Sequence, residues 1–330
     1  MTARLSHVSD NEVTQDEVKY LEKEGKDYCM AHGMVYKDSK GETQHIPFTL
    51  YPSPIPLKLF ADAKEVQTDF NLLVHKVSRD YEFTKNALLS TVAADPFTSR
   101  LFDIYEKVWE QGNAQSVSLG IFRSDYLIET TGWLQHQFCS YSSIKQVEMN
   151  TISIGGISFS CLVPDMHRYL LHSMGRENKV PPNPALDEAA DALIRAWELY
   201  GSDSAVIMFV VQPDEINVYD QRLLEYRIHE RNNAVKVIRR SLNDIFKDGK
   251  MSNDKSIFVT GIEVGVAYFR AGYTPKDYPT DQEWSARLTL ELSRCIKCPT
   301  VAHHLMGTKK IQQVLSDPGV LERYNYEPLY

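Results

Sequence analysis

Ala205-Val206-Ile207-Met208-Phe209-Val210-Val211 is the stretch that decides the fold. A strand with one wet face alternates apolar and polar residues. An unbroken apolar run of strand length has both faces covered, which is the mark of a buried parallel strand. It is also the longest purely apolar run in the chain, far below the roughly 20 residues that a helix needs to cross a bilayer. Downstream, residues 220–231 read as helix and Val235–Arg239 as a second strand, so the segment predicts a βαβ unit. Ile257–Thr260 and Glu263–Phe269 flank a turn at Gly261, and residues 283–297 read as a further helix. Together they predict a small α/β domain at 202–305, inserted in a larger α+β body.

Upstream, Leu186, Ala190, Leu193, Ile194 and Trp197 fall at helical spacing and Gly201 ends that helix. Arg176 to Pro184 holds three prolines and reads as a linker. Ser116–Ile121 and Lys145–Ile154 are rich in β-branched residues and predict strands. Leu57 to about Ser90 lacks Pro and Gly and predicts one long helix. Pro47 to Pro56 carries four prolines and must be extended or turned. Lys37–His45 is polar, contains Gly41 and predicts a loop. Residues 12–30, with Val18, Leu21 and Tyr28 on one stripe, predict an amphipathic helix.

Composition narrows the function. Of 330 residues, 43% are hydrophobic and 24% charged, an ordinary globular balance. Lysine and arginine number 36 against 44 acids, a net charge of −8. A mildly acidic chain lacks the basic stripe that neutralises phosphates, which argues against nucleic acid. No stretch predicts a membrane span, and Met1 to Glu24 is charged, with no apolar core of a secretory signal. The five cysteines, Cys29, Cys139, Cys161, Cys295 and Cys298, are too few and odd in number for a disulfide scaffold. A reducing, cytoplasmic setting is expected.

Several constellations could carry chemistry. Glu148 and Asn150 sit at i and i+2 on a predicted strand, hence on one face. A carboxylate and a carboxamide oxygen there suit a hard cation such as Mg²⁺, while spacing alone favours the plainer alternative, a polar strand edge facing water. Arg123, with Ser124-Asp125-Tyr126 after it, either clamps a carboxylate or pairs with Asp125. Arg270-Ala271-Gly272-Tyr273 ends a strand, where ligands of α/β sheets sit. Cys295-x-x-Cys298 with His303-His304 has a zinc-like look, but one buried helix face explains the two thiols without metal. Gly307-Thr308-Lys309-Lys310 lacks P-loop spacing and reads as a helix start with exposed lysines.

Taken in order, longer runs resemble eukaryotic glutathione synthetase. They are Pro47-Phe48-Thr49-Leu50-Tyr51-Pro52-Ser53, Asp69 to Val74, Thr98 to Ile104, Arg123 to Tyr126, Gln146 to Ser153, Ala196 to Gly201, Tyr219 to Arg222, Tyr268 to Tyr273 and Gly307 to Gln313. The resemblance covers about residues 45–323. It implies an ATP-grasp ligase: ATP phosphorylates the C-terminal carboxylate of γ-glutamylcysteine, and glycine attacks the acyl phosphate to give glutathione. It further implies Mg²⁺, a homodimer, and three parts: 1–201 as the N-terminal body, 202–305 as the substrate-binding α/β domain and 306–330 as the start of the ATP-grasp region.

Carried over residue by residue, the resemblance gives Arg123 to the peptide site. Glu148 and Asn150 match Mg²⁺ ligands, Glu148 also lying near ATP, and Lys309 matches an ATP contact. Ile152-Ser153 begins a loop that binds γ-glutamylcysteine. Glu215, Asn217 and Gln221 match substrate contacts, and Arg270, Ala271, Gly272 and Tyr273 a substrate clamp. Cys298 corresponds to a cysteine outside the chemistry.

Two departures stand out. The loop Asn150-Thr151-Ile152-Ser153-Ile154-Gly155-Gly156 is shorter than the family's Asn-Thr-Ile-Ser-x-Ser-Phe-x-Gly and lacks its second serine. After Gly307 only Gly319 remains, so the family's glycine-rich phosphate loop is not expected within these residues, and the ATP-grasp architecture is incomplete. Two readings follow: a partial form of a glutathione synthetase, expected to be inactive alone, or a non-catalytic homologue that binds γ-glutamyl peptides.

Overall fold

The computed structural model describes residues 13–129, 143–176 and 179–324. Its elements begin with α1 (Gln15–Ala31), β1 (Val35–Lys37), β2 (Thr43–His45), α2 (Leu57–Ser78), α3 (Tyr81–Ala94) and α4 (Pro96–Gln111). Next come β3 (Arg123–Glu129), β4 (Ser143–Asn150), α5 (Ile157–Ser173), α6 (Ala185–Tyr200), β5 (Val206–Val210), α7 (Val218–Arg231) and β6 (Val237–Arg240). The chain continues through α8 (Leu242–Asp248), β7 (Gly249–Met251), β8 (Ile257–Val259), β9 (Ile262–Phe269), α9 (Asp281–Leu292), β10 (Ile296–Cys298), α10 (Val301–Met306) and α11 (Lys309–Leu315). The mixture of helix and sheet agrees with the expected class, and interleaved segments form two compact units.

The first unit takes the described residues of Met1–Ile55, with Gly155–Asp191 and Asp214–Asn233. The predicted amphipathic helix is α1, capped by the Thr14 hydroxyl. Its buried Leu21 and Cys29 pack with Met166 and Leu170 of α5, and each fully buried leucine contributes about 2 kcal/mol. Residues 37–45 are not wholly loop. Val35–Lys37 and Thr43–His45 pair antiparallel, because the Asp38 carboxylate accepts the Lys40 and Glu42 N–H groups and closes a tight turn between them. In α7, the buried Asp220 carboxylate accepts the N–H groups of Gly156 and Ser158, both at 2.9 Å, at the start of α5. That satisfies orphan donors of the helix N-terminus with a charge of favourable sign.

The second unit takes Pro56–Ile154, Ala192–Pro213 and the described residues of Ala234–Tyr330. Its sheet runs β6-β5-β9-β8-β7, with β10 also paired to β9. Strands β6, β5, β9 and β10 are mutually parallel, and β8 joins β9 antiparallel across the Gly261 turn. All five residues of β5 are buried, as its unbroken apolar run requires. The parallel β5–β6 pair, with α7 between them in the chain, is the predicted βαβ order. A second, two-stranded ribbon pairs β3 with β4.

Four local expectations are corrected. The long helix breaks at residues 79–80, where Asp80 caps a new helix by accepting the Phe83 N–H at 2.9 Å. Ser116–Ile121 is not a strand. Leu119 N–H reaches the Lys297 carbonyl at 3.2 Å, but no ladder follows among the described residues, and Arg123 begins a strand instead of following one. The Lys145–Ile154 strand stops at Asn150, since Thr151 turns its hydroxyl to the His304 carbonyl and Ser153 takes a left-handed φ of 54°. The 283–297 helix ends at Leu292. The Ser293 hydroxyl folds back to the Leu290 carbonyl, and Ile296–Cys298 becomes a strand beside β9. Cys295 and Cys298 are therefore buried as expected, but after the helix and not on its face.

Candidate functional site

Antiparallel register sets the ribbon's polar end: Arg123 lies opposite Asn150, and Asp125 opposite Glu148. Alternation then puts Glu148 and Asn150 on one face, and the Asn150 amide donates to Glu148 Oε1 at 3.2 Å. Arg123 forks onto Asp125 at 2.9 and 3.2 Å, with its Nη2 3.9 Å from Glu148 Oε1. The other Glu148 oxygen accepts the ammonium of Lys309. The pairing of Arg123 with Asp125 is the plainer of its two expected roles. The Lys309 hydrogen bond, and after it that of Asn150, holds the Glu148 carboxyl below its ordinary range.

What joins Lys309 to the ribbon is Gln312, one turn into α11. Its side-chain oxygen accepts the Met149 N–H at 2.9 Å, and its amide donates to the Met149 and Gly307 carbonyls at 3.1 and 3.0 Å. Thr308 caps α11 through the Ile311 N–H. Gly307 lies so close that a Cβ there would stand 2.5 Å from the Thr151 hydroxyl oxygen, so the turn into α11 admits only glycine without a shift.

The loop after β4 points two ways. Ile152 packs against the apolar core. The Ser153 hydroxyl donates to the Phe269 carbonyl at 3.3 Å, one residue before Arg270. Arg270 follows the carboxyl end of parallel β9 and is buried, and its N–H reaches the Val210 carbonyl at 2.8 Å. Ala271 is buried, Gly272 turns with φ 93°, and Tyr273 is exposed.

In the first unit, Glu215 gathers its predicted companions. Its carboxylate accepts the Asn217 backbone N–H at 2.8 Å and the Gln221 side-chain amide at 2.5 Å. The structure therefore brings together Arg123, Glu148, Asn150 and Lys309 as one cluster. Ser153 lies beside the Arg270 strand end, and Glu215, Asn217 and Gln221 form a third group. Sequence reading missed Gln312, Gln212 and Asp277. Asp277 had a signal, since Thr274-Pro275-Lys276-Asp277 has the Thr-x-x-Asp spacing of a capping box. Gln312 lies inside the Gly307 to Gln313 run without standing out from it, and nothing local marked Gln212.

Among the described residues no three His, Cys, Asp or Glu side chains gather as a metal cluster. Glu148 and Asn150 still offer hard oxygen donors. Mg²⁺ keeps most of its waters and takes one or two carboxylates plus substrate phosphates, so the pair fits as one edge of such a site.

The family described as eukaryotic glutathione synthase, ATP binding domain, matches residues 15–328. Chloroplastic glutathione synthetase of Solanum lycopersicum is 39% identical, over 96% of this chain and 59% of that protein. Glutathione synthetase of Homo sapiens is 40% identical, over 93% of this chain and 65% of that protein. In Dictyostelium discoideum the glutathione synthetase is 40% identical, over 94% and 68%. Among solved structures, an apo glutathione synthetase-like effector from Globodera pallida superposes with a TM-score of 0.79 at 26% identity, covering 94% of this chain and 68% of that one. The chain spans about three fifths of the length of the curated relatives it matches. With clusters at the family's motif positions and a match along nearly its whole length, the chain belongs to the eukaryotic glutathione synthase family.

Proposed function

We propose that this chain serves the ATP-dependent ligation of γ-glutamylcysteine and glycine to glutathione, as part of an ATP-grasp architecture. The observation that carries the reading is the cluster of Arg123, Glu148, Asn150 and Lys309, four residues from three separate motifs in direct contact. In this reading the peptide carboxylate attacks the γ-phosphorus of ATP and ADP leaves. The amine of glycine then attacks the acyl carbon and phosphate leaves. Lys309 and Arg123 supply positive charge where negative charge gathers on phosphate and carboxylate oxygens. Glu148 and Asn150 would hold Mg²⁺, which supplies charge neutralisation on the phosphates. The family resemblance gives γ-glutamyl peptide contacts to Ile152 with Ser153 and to Arg270 to Tyr273 in the second unit, and to Glu215, Asn217 and Gln221 in the first. A cytoplasmic, reducing setting is supported by the free buried thiols of Cys29, Cys295 and Cys298. A homodimer is supported by the family resemblance alone.

A second reading, peptide binding without catalysis, is favoured by one observation. Lys309 and Asn150 already occupy both oxygens of Glu148, the carboxylate that the ligase reading gives to metal. An ADP-release assay with γ-glutamylcysteine and glycine, beside calorimetry with glutathione, separates the two. Turnover removed by Lys309→Ala supports ligation, and peptide binding without turnover supports the second reading. Absence of any γ-glutamyl peptide binding overturns both.

A further inference from the structure

Behind the Arg270–Tyr273 loop stands a carboxylate that neither the sequence motifs nor the family match assigns. The sharp turn at Gly272 aims three consecutive N–H groups at one point. Asp277 Oδ2 accepts all three, from Gly272 at 3.0 Å and from Tyr273 and Thr274 at 3.1 Å, and also accepts the Thr274 hydroxyl at 3.3 Å. Converging amides of this kind make an anion-binding nest. Here the anion is part of the chain itself. The second oxygen, Oδ1, accepts the Gln212 amide at 2.7 Å, two residues past β5. Asp277 thus ties together the carboxyl ends of two neighbouring parallel strands, β5 and β9. The carbonyl side of the loop is held as well, by the Tyr278 hydroxyl donating to Gly272 at 3.1 Å, with Tyr278 stacked on Trp284 at 3.8 Å.

We propose that Asp277 is a positioning residue for peptide binding: by filling the amide nest it leaves the Arg270 and Tyr273 side chains as the groups that meet the substrate. The proposal rests on the functional reading above. Without the carboxylate, three N–H groups and the Gln212 amide lose their acceptor together, and the turn that orients Arg270 loosens. An external carboxylate would then compete for the nest in place of the guanidinium.

The test uses the whole chain with Asp277→Ala, Asp277→Asn and the wild type. Calorimetry with γ-glutamylcysteine and with glutathione is read beside hydrogen exchange at residues 272–274 and in β5 and β9. Asp277→Ala should weaken peptide binding about tenfold or more, with faster exchange confined to 272–274. Asp277→Asn keeps an oxygen for the nest, and Gln212 can turn its own oxygen to the new amide, so binding should return to within about threefold of wild type. Unchanged binding by Asp277→Ala overturns the proposal alone. Equal loss in both variants, with exchange spread through β5 and β9, also overturns it, because the role is then general stability. A wild-type chain that binds neither peptide overturns the functional reading, and the peptide part of this proposal falls with it.

Discussion

Gln312 pairs its side-chain amide with both backbone polar groups of Met149, as a neighbouring strand would, at 2.9 and 3.1 Å. Met149 lies between Glu148 and Asn150 and is itself buried. The pairing therefore fixes the two candidate metal ligands against the start of α11, where Lys309 stands. A backbone group buried without a partner costs about 1–3 kcal/mol. Gln312→Ala should destabilise the chain by about 2–3 kcal/mol in urea denaturation. Gln312→Glu, which accepts but cannot donate, should cost at least as much. A loss near zero for both variants would show that water replaces the amide without penalty.

Mg²⁺ alone should bind weakly. Both Glu148 oxygens are engaged, one by Lys309, and the cation prefers to keep its waters unless phosphates join it. Titration without nucleotide should reveal no tight site. Lys309→Ala frees an oxygen and should raise the affinity, and Glu148→Gln should remove it. A tight wild-type site, insensitive to Glu148→Gln, would place the metal elsewhere.

Stability should fall on acidification between pH 7 and 5. His303 is buried beside His75 and Phe122, and burial pushes its pKa down to about 4 from 6.5, with His75 adding to the shift. His304, next to Arg287, is pushed well below its ordinary value for the same first reason. In this window the unfolded chain binds protons that the folded chain refuses, so stability rises with pH. Between pH 7 and 5 His303 should contribute roughly 2 kcal/mol to that slope. Urea midpoints measured at the two values check it, and His303→Leu should flatten the dependence. A slope unchanged by that substitution would assign the effect to other groups.

The thiols should divide by burial. Burial raises the Cys29 thiol to about 11 and that of Cys298 to about 12, and pushes Cys295 up as well. Cys161 is partly exposed. Among the four described cysteines, a thiol reagent at neutral pH should therefore modify Cys161 first, and the three buried ones only as fast as the chain opens. Elemental analysis should find no stoichiometric zinc. One zinc per chain, lost on Cys298→Ser, would contradict the structural role given to that pair.

The sequence by itself determined what depends on near neighbours. An apolar run too continuous for a wet face had to become the buried strand β5. Period-two alternation had to place Glu148 beside Asn150, and a chain leaving parallel β9 had to deliver Arg270 to its carboxyl end. Those outcomes follow from backbone geometry within a few residues. Only the tertiary structure decided which distant groups meet. Helix periodicity carried on past residue 80 because its apolar spacing did not change there, yet the Asp80 cap split it in two. Ser293 ended α9 early, and Ile296–Cys298 became strand because β9 offered an open edge to pair with. Gln312 found Met149 across 163 positions, and Gln212 found Asp277 across 65. Such pairings answer to the backbone amides and carbonyls that a fold leaves unsatisfied, and no local pattern records where those will be.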